Sequence, residues 1–148
     1  LNNVMIDDLT GKGICVIDLD TVMPGLVMND FGDSIRTGAS TAEEDEINLS
    51  LVSCSMELFE TYTRGFLKGC GNSLTPIEVS LLPMGAKMMT YENGIRFLTD
   101  YLQGDVYFKI ARENHNLDRC RTQLKLVGDM EAKWDQMQEI VQKVSAEV

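Results

Sequence analysis

The stretch of sequence that decides the fold is residues 3–20, which read Asn-Val-Met-Ile-Asp-Asp-Leu-Thr-Gly-Lys-Gly-Ile-Cys-Val-Ile-Asp-Leu-Asp. Two apolar, β-prone runs, 4–6 and 13–19, flank a turn-rich segment, and this pattern predicts a β-hairpin with a loop longer than two residues. The second run is almost entirely apolar, so we predict a strand that is buried on both faces. It leads directly into Asp18 and Asp20, and charged residues that follow a buried strand often belong to functional sites.

A loop and then a helix are predicted to follow the hairpin. Residues 21–41 are rich in glycine, aspartate and small residues, which favour turns, so we predict a loop there. The next helix is expected to begin at Ser40 or Thr41, because a hydroxyl cap followed by acidic residues is typical of a helix N-terminus. Apolar residues at helical spacing continue this helix to about Gly69.

Two further helices complete the predicted helical subdomain, residues 42–148. One opens at Thr75-Pro76, because proline is tolerated in a first turn, and it is interrupted at Pro83. The last begins near Asn116 and continues to the end of the chain, with one apolar stripe. The predicted fold class is therefore mainly α with an N-terminal β-hairpin, within one domain.

The composition excludes several classes of partner. The 148 residues include 13 Lys and Arg against 23 Asp and Glu, a formal net charge of -10. Duplex nucleic acid and anionic membrane surfaces attract a positive face, so neither is an expected partner. The four cysteines are widely spaced without a Cys-x-x-Cys pair, and His115 is the single histidine. A zinc site is therefore not expected, and the cysteine pattern predicts a reduced, cytoplasmic protein.

The hairpin carries three candidate metal ligands, Asn3, Asp18 and Asp20. An asparagine just before one strand and an aspartate after the other would bring two hard oxygen ligands together, which are the ligands that Mg²⁺ prefers. Asn3 could equally be an ordinary turn residue and Asp18 a backbone cap, because both residue types are common beside strands. The pattern alone leaves both interpretations open.

The hairpin resembles the catalytic segment of the aminoglycoside phosphotransferase/choline kinase family. Members carry His-x-Asp-x-x-x-x-Asn, a hairpin, and then Ile-Asp-x-x or Ile-Asp-x-Asp, and this chain has Asn-Asn-Val-Met-Ile-Asp, a turn, and Cys-Val-Ile-Asp-Leu-Asp. The resemblance implies the C-terminal lobe of a protein-kinase-like fold, with ATP as co-substrate. It also implies that Asn3 and Asp18 bind Mg²⁺, that Asp18 serves the bound nucleotide, and that Asp20 supports them.

The resemblance extends further along the chain, to family members that phosphorylate the anomeric hydroxyl of N-acetylhexosamines. It includes the stretch 16–25, Val-Ile-Asp-Leu-Asp-Thr-Val-Met-Pro-Gly, and the segments 96–98, 104–108 and 115–117. The catalytic-base aspartate of the family would lie upstream of Leu1. No residue of the chain is therefore predicted to be the base.

A second aspartate motif, Asp30-Phe31-Gly32, spells the metal motif of protein kinases. It lies in the predicted loop and does not follow a buried strand, so we do not assign it to the metal. Asp30 or Asp33 is expected instead to accept hydrogen bonds from backbone N–H groups at the start of a helix.

Arg96, Tyr107 and Phe108 are the candidate substrate-binding residues. An arginine on a mostly apolar helix needs a carboxylate or an oxygen-rich ligand, and an ion pair with Glu92 or Asp100 would also satisfy it. Sugar sites combine aromatic faces with fixed polar groups, although the two aromatic residues could instead belong to the core. The resemblance favours a sugar pocket at Arg96.

A function of another class is also compatible with the sequence. The chain begins at Leu1 without an initiator methionine and reads as the C-terminal part of a longer protein. Without the base and the nucleotide-binding N-terminal lobe of the family, it would be an inactive structural or binding module. The surface that would face those parts could then support a homodimer.

Overall fold

The computed structural model describes residues 3–148, which are mainly helical with one N-terminal hairpin, as the sequence predicts. Leu1 and Asn2, which belong to the stretch that resembles the kinase family, lie outside the described residues. The elements in chain order are β1 (Val4–Ile6), β2 (Gly13–Val16), α1 (Val27–Gly38), α2 (Met56–Cys70), α3 (Pro76–Ser80), α4 (Leu82–Leu102), α5 (His115–Ala132) and α6 (Trp134–Glu147).

The hairpin pairs β1 with β2 in antiparallel register, with Val4 opposite Val16. Its turn is closed by Asp7, whose Oδ1 accepts hydrogen bonds from the backbone N–H and the hydroxyl of Thr10, each at 2.7 Å. The prediction that β2 is buried on both faces is wrong: all of β2 is exposed. Within residues 3–148 the sheet has two strands, and all residues of both strands are exposed.

A continuous exposed apolar segment results, which we call the hairpin arm, residues 3–26. Its large apolar side chains are between 39% and 96% exposed. They are Val4, Met5, Ile6, Leu9, Ile14, Val16, Ile17, Leu19, Val22, Met23 and Leu26.

The predicted loop 21–41 contains the helix α1, so that prediction is wrong for residues 27–38. Met28, Phe31 and Ile35 are buried on one face of the helix and provide the apolar contacts that override its turn-prone composition. The expected capping role of Asp30 and Asp33 is also wrong. The residue that precedes α1 is Leu26, which provides no side-chain cap, while Asp33 accepts a hydrogen bond from Arg36 at 3.2 Å.

Glycines allow α1 and α4 to approach each other closely. A Cβ added to Gly85 would lie 2.2 Å from the carbonyl oxygen of Met28, and one added to Gly32 would lie 2.3 Å from the carbonyl oxygen of Gly85. Contacts this short are impossible for a methyl group, so both positions require glycine. The residue type that suggested a loop in α1 is therefore required for helix packing.

The segment 39–55 contains one short 3-10 helix, Leu49–Leu51, and is otherwise irregular, and α2 begins at Met56 rather than near Ser40. Ser55 is its N-cap and accepts a hydrogen bond from the backbone N–H of Leu58. Hydrogen bonds from polar side chains stabilise the preceding segment. The Thr41 hydroxyl, for example, donates to the carbonyl oxygen of Leu51 at 2.6 Å. The Ser40 hydroxyl also bonds to the backbone of Ala42, and side-chain bonds of this local kind compete with the helix that the acidic residues suggested.

The last two predicted helices are each divided. α3 begins with the predicted Thr75 cap, which forms a reciprocal capping box with Glu78, and α4 follows after Leu81, so Pro83 lies in its first turn. The last helix is broken at Lys133, between α5 and α6. The Lys133 ammonium donates to Asp129, which is its ion-pair partner, and to the carbonyl oxygen of Cys54, which joins this break to the segment before α2.

The core lies among α1, α2, α4, α5 and α6. Phe31 is at its centre, fully buried, with edge-to-face contacts to the rings of Phe59, Tyr62 and Phe66. Such aromatic packing stabilises the core beyond the area that it buries. Among residues 3–148, no helix combines the length and the apolar character that a membrane crossing requires.

Candidate functional site

The first candidate site lies where the hairpin brings Asn3 and Asp18 together. The Asn3 side-chain nitrogen, Nδ2, donates to Oδ2 of Asp18 at 3.0 Å, and the Asn3 carbonyl oxygen accepts from the backbone N–H of Ile17 at 2.9 Å. Asp18 has a left-handed backbone, with φ of 62°, which is uncommon outside glycine. The strand pairing therefore holds two side chains fifteen residues apart within hydrogen-bonding distance.

The donor set of this site suits a hard cation. An amide and a carboxylate can both provide oxygen ligands, and both side chains are exposed. Asp20 lies in the turn that follows and is also exposed, and no hydrogen bond within residues 3–148 joins it to Asn3 or Asp18. Within the same residues, no group of three or more His, Cys, Asp and Glu side chains lies close enough together to hold a metal ion.

The second candidate site is a shallow cavity of about 410 Å³ at the C-terminal end of α4. Arg96 is exposed there, with its guanidinium carbon 5.5 Å from the ring centre of Phe108 and 6.0 Å from that of Tyr107. These distances are within the range of cation–π contacts. The structure therefore brings the three sequence-predicted residues together, and within residues 3–148 Arg96 has no ion pair with Glu92 or Asp100.

The two aromatic residues of this cavity differ in their surroundings. Phe108 is half-buried, with its ring centre 4.7 Å from that of the buried Phe97. Tyr107 is 73% exposed and is therefore not a core residue. Thr99 and Gln103 add polar groups to the lining. One anchored ring, one exposed ring and several polar groups are suited to a small polar ligand with an apolar face.

Asp100 organises the loop beneath this cavity, and sequence reasoning missed it. Its Oδ1 accepts from the backbone N–H groups of Val106 and Tyr107, at 3.0 and 2.8 Å. Its Oδ2 accepts from the N–H of Phe108 and from Nδ2 of Asn116, each at 2.9 Å. The residue is only 3% exposed, and the four donors replace the water that burial removes.

These contacts keep the Asp100 carboxylate charged. Burial acts to raise its pKa, but the N–H groups of Phe108, Tyr107 and Val106 and the Asn116 amide outweigh it and hold the pKa below its usual value. The loop enters this arrangement through left-handed residues, Gly104 with φ of 93° and Asp105 with φ of 58°. The backbone from 104 to 108 is thus wrapped around one buried anion.

His115 has a structural role, because both of its ring nitrogens are hydrogen-bonded within the protein. Its Nδ1 accepts from the backbone N–H of Ala111 at 3.0 Å, so its Nε2 carries the hydrogen and faces Oδ2 of Asp45 at 2.9 Å. Both ring nitrogens are used to join the start of α5 to the segment before α2. This geometry leaves neither nitrogen available for a substrate.

The four cysteines are all free thiols. Burial raises the pKa of the Cys54 thiol to about 11, so this group is not a thiolate at neutral pH. Burial also raises the pKa of the Cys120 and Cys70 thiols. Nucleophilic thiol chemistry is therefore not favoured at these three positions.

No model of a known protein family matches this chain.

Proposed function

We propose that this chain is the metal- and sugar-binding part of a phosphotransferase with a protein-kinase-like C-terminal lobe. The observation that supports this most is the hydrogen bond between Asn3 and Asp18, because each belongs to one of the two family motifs, Asn3 just before β1 and Asp18 just after β2. The fold, helical with one N-terminal hairpin, is compatible with such a lobe.

The particular enzyme that we propose is an N-acetylhexosamine 1-kinase, with ATP as co-substrate and N-acetylglucosamine or N-acetylgalactosamine as acceptor. The extended resemblance over 16–25 and the cavity of Arg96, Tyr107 and Phe108 support this choice. The sugar would lie against the exposed Tyr107 ring, with Arg96 bound to its oxygens.

Phosphoryl transfer depends mostly on positioning and charge neutralisation, which a bound Mg²⁺ supplies to the ATP phosphates. In this proposal Asn3 and Asp18 hold the ion, and Asp20 lies beside them as a supporting carboxylate. Arg96 and the loop 104–108 orient the sugar. The aspartate that accepts the proton of the sugar hydroxyl belongs to the segment that the resemblance places before Leu1.

The reaction can be tested directly. Residues 1–148 and a longer protein that includes the preceding segment are each incubated with Mg·ATP and N-acetylglucosamine, and sugar phosphate is detected by phosphorus NMR. We expect sugar 1-phosphate from the longer protein and none from residues 1–148, because the base is required. The methyl glycoside, which lacks a free anomeric hydroxyl, is the matched control substrate. Turnover of that glycoside, turnover by residues 1–148, or none by the longer protein would contradict the proposal.

A second candidate function is supported by the hairpin arm. The chain exposes 9482 Å², whereas a compact monomer of 16.5 kDa exposes about 7,550 Å² by surface scaling, an excess of about 1,900 Å². A stable protein interface takes about 800 Å² from each partner, so the excess is sufficient for one. An isolated two-stranded hairpin is also marginally stable in water. Residues 1–148 alone would then be an inactive module that dimerises through this arm.

The oligomeric state distinguishes the two candidates. For the dimerisation module we expect residues 1–148 to sediment as a dimer at micromolar concentration and Ile14→Asp, which charges the exposed strand β2, to sediment as a monomer. Leu124→Asp, at a half-exposed position on α5, is the matched control and should leave the dimer intact. A monomeric wild-type chain would exclude this module and leave the kinase proposal unaffected.

A further inference from the structure

The conformation of the loop 104–108 is stabilised by hydrogen bonds to residues outside the loop. Of its five residues, Val106, Tyr107 and Phe108 turn their N–H groups toward Asp100, and Asp105 donates its N–H to the Asp100 carbonyl oxygen at 2.8 Å. The carboxylate and the backbone carbonyl of Asp100 therefore accept hydrogen bonds from four consecutive backbone N–H groups, those of residues 105–108. Short exposed loops are commonly mobile unless hydrogen bonds of this kind fix their backbone.

A buried asparagine completes the arrangement. Asn116 is fully buried, and its Nδ2 donates to Asp100 at 2.9 Å and to Oδ1 of Asp105 at 2.8 Å. Its Oδ1 accepts from Arg119 at 3.0 Å, so both ends of the amide are used. The loop is thus fixed from two sides, by α4 through Asp100 and by α5 through Asn116.

We propose that Asp100 is the positioning residue of the cavity at the end of α4, which fixes the loop 104–108 so that Tyr107 and the Arg96–Phe108 pair are ordered before a sugar binds. The identity of the ligand rests on the proposed function. The positioning role itself rests on the four hydrogen bonds, which order the loop without any ligand. When a loop is already ordered in the free protein, binding does not have to offset the entropy lost in ordering it.

The variant Asp100→Asn tests whether Asp100 positions the loop or is needed only for the protein to fold. Each Asp100 oxygen accepts two donors, and an asparagine has one acceptor oxygen, so its NH₂ group faces two donors whichever way the amide turns. The helix α4 and the core around Phe97 are unchanged in size. We therefore expect the variant to fold while the loop loses its fixed conformation.

The experiment uses amide NMR on residues 1–148, with N-acetylglucosamine as the probe. In the wild type we expect the sugar to shift the amides of residues 96–108, and in Asp100→Asn we expect an affinity at least about tenfold weaker, because the loop must be ordered on binding. In the free variant, hydrogen exchange at the amides of 106–108 should accelerate by at least the same factor. Glu92→Gln, an exposed change on the same helix, is the control and should match the wild type.

The outcomes separate the two proposals. Unchanged affinity and unchanged exchange at 106–108 in Asp100→Asn would overturn the positioning role and leave the sugar pocket standing. Accelerated exchange without sugar binding in the wild type would contradict the proposed function and support the fixing of the loop by Asp100. If Asp100→Asn does not fold, Asp100→Ala replaces it, because the methyl group removes the acceptors of the loop N–H groups and leaves room for water to reach them. Wild-type affinity and exchange in a folded Asp100→Ala would then overturn the proposal.

Discussion

Gly85→Ala is expected to lower the free energy of unfolding by about 3 kcal/mol or more, which is the upper range for overpacking a core. The added Cβ would lie 2.2 Å from the carbonyl oxygen of Met28 and 2.9 Å from the Met28 carbonyl carbon and from its Cβ. Because two of these atoms are backbone, a change of rotamer cannot relieve the contact. The helices α1 and α4 would have to move apart, and the packing between them would be lost.

Urea unfolding followed by circular dichroism measures this change. Gly128→Ala is the matched control, because Gly128 lies inside α5 and an added Cβ there meets no atom within 4 Å. Alanine is the better helix former, so this control should raise stability by up to about 1 kcal/mol. If Gly85→Ala were as stable as the wild type, the close approach of α1 and α4 would not exist in solution.

The glycines of residues 21–41 explain why the sequence did not reveal the helix α1. Gly25, Gly32 and Gly38, with Asp30 and Asp33, give residues 21–41 a loop-like composition, and this local signal hides α1. The spacing of its buried apolar residues was a helical signal, but it was short and surrounded by turn formers. Close helix packing is a tertiary requirement, and single-residue propensities do not contain it.

Where local chemistry determines the structure, the sequence was sufficient. The hairpin follows from its apolar runs and turn, and the start of α3 follows from the Thr75 hydroxyl and the proline after it. The burial of β2 could not be read in the same way. Apolar residues favour burial, but an apolar strand does not by itself provide the layer that would cover it.

The candidate sites also contain some residues that the sequence could predict and others that it could not. Arg96, Tyr107 and Phe108 could be grouped from the sequence, because an arginine on an apolar helix and a following aromatic loop are both visible there. Asp100 was considered only as a partner for Arg96, four residues away on the helix. Its actual partners are backbone N–H groups, which every residue has, so no residue type marks them. The glycine at position 104 was the one signal in the sequence that the chain turns back toward α4 there.

The second large effect is expected for Asp18→Asn in a protein that includes the segment before Leu1. Asparagine keeps the size of the side chain and can still accept a hydrogen bond from Asn3, and the site is exposed, so folding should change little. Under the proposed function, a bound Mg²⁺ would lose the charge of its ligand Asp18 while the ATP phosphates keep their charge. Removal of one such contact commonly lowers turnover on the order of 10²–10³, or about 3–4 kcal/mol of barrier.

A capping role for Asp18 predicts the opposite pattern, which is a melting temperature lower by a few degrees with normal turnover in the folded fraction. Thermal melting and sugar-dependent turnover measured on the same preparation distinguish the two. Asp33→Asn is the matched control, because it removes the same charge from an exposed aspartate in α1 whose partner is Arg36. If Asp18→Asn melts early and still phosphorylates N-acetylglucosamine at the wild-type rate, Asp18 is not a metal ligand, and Asn3 loses the neighbour on which its own assignment depends.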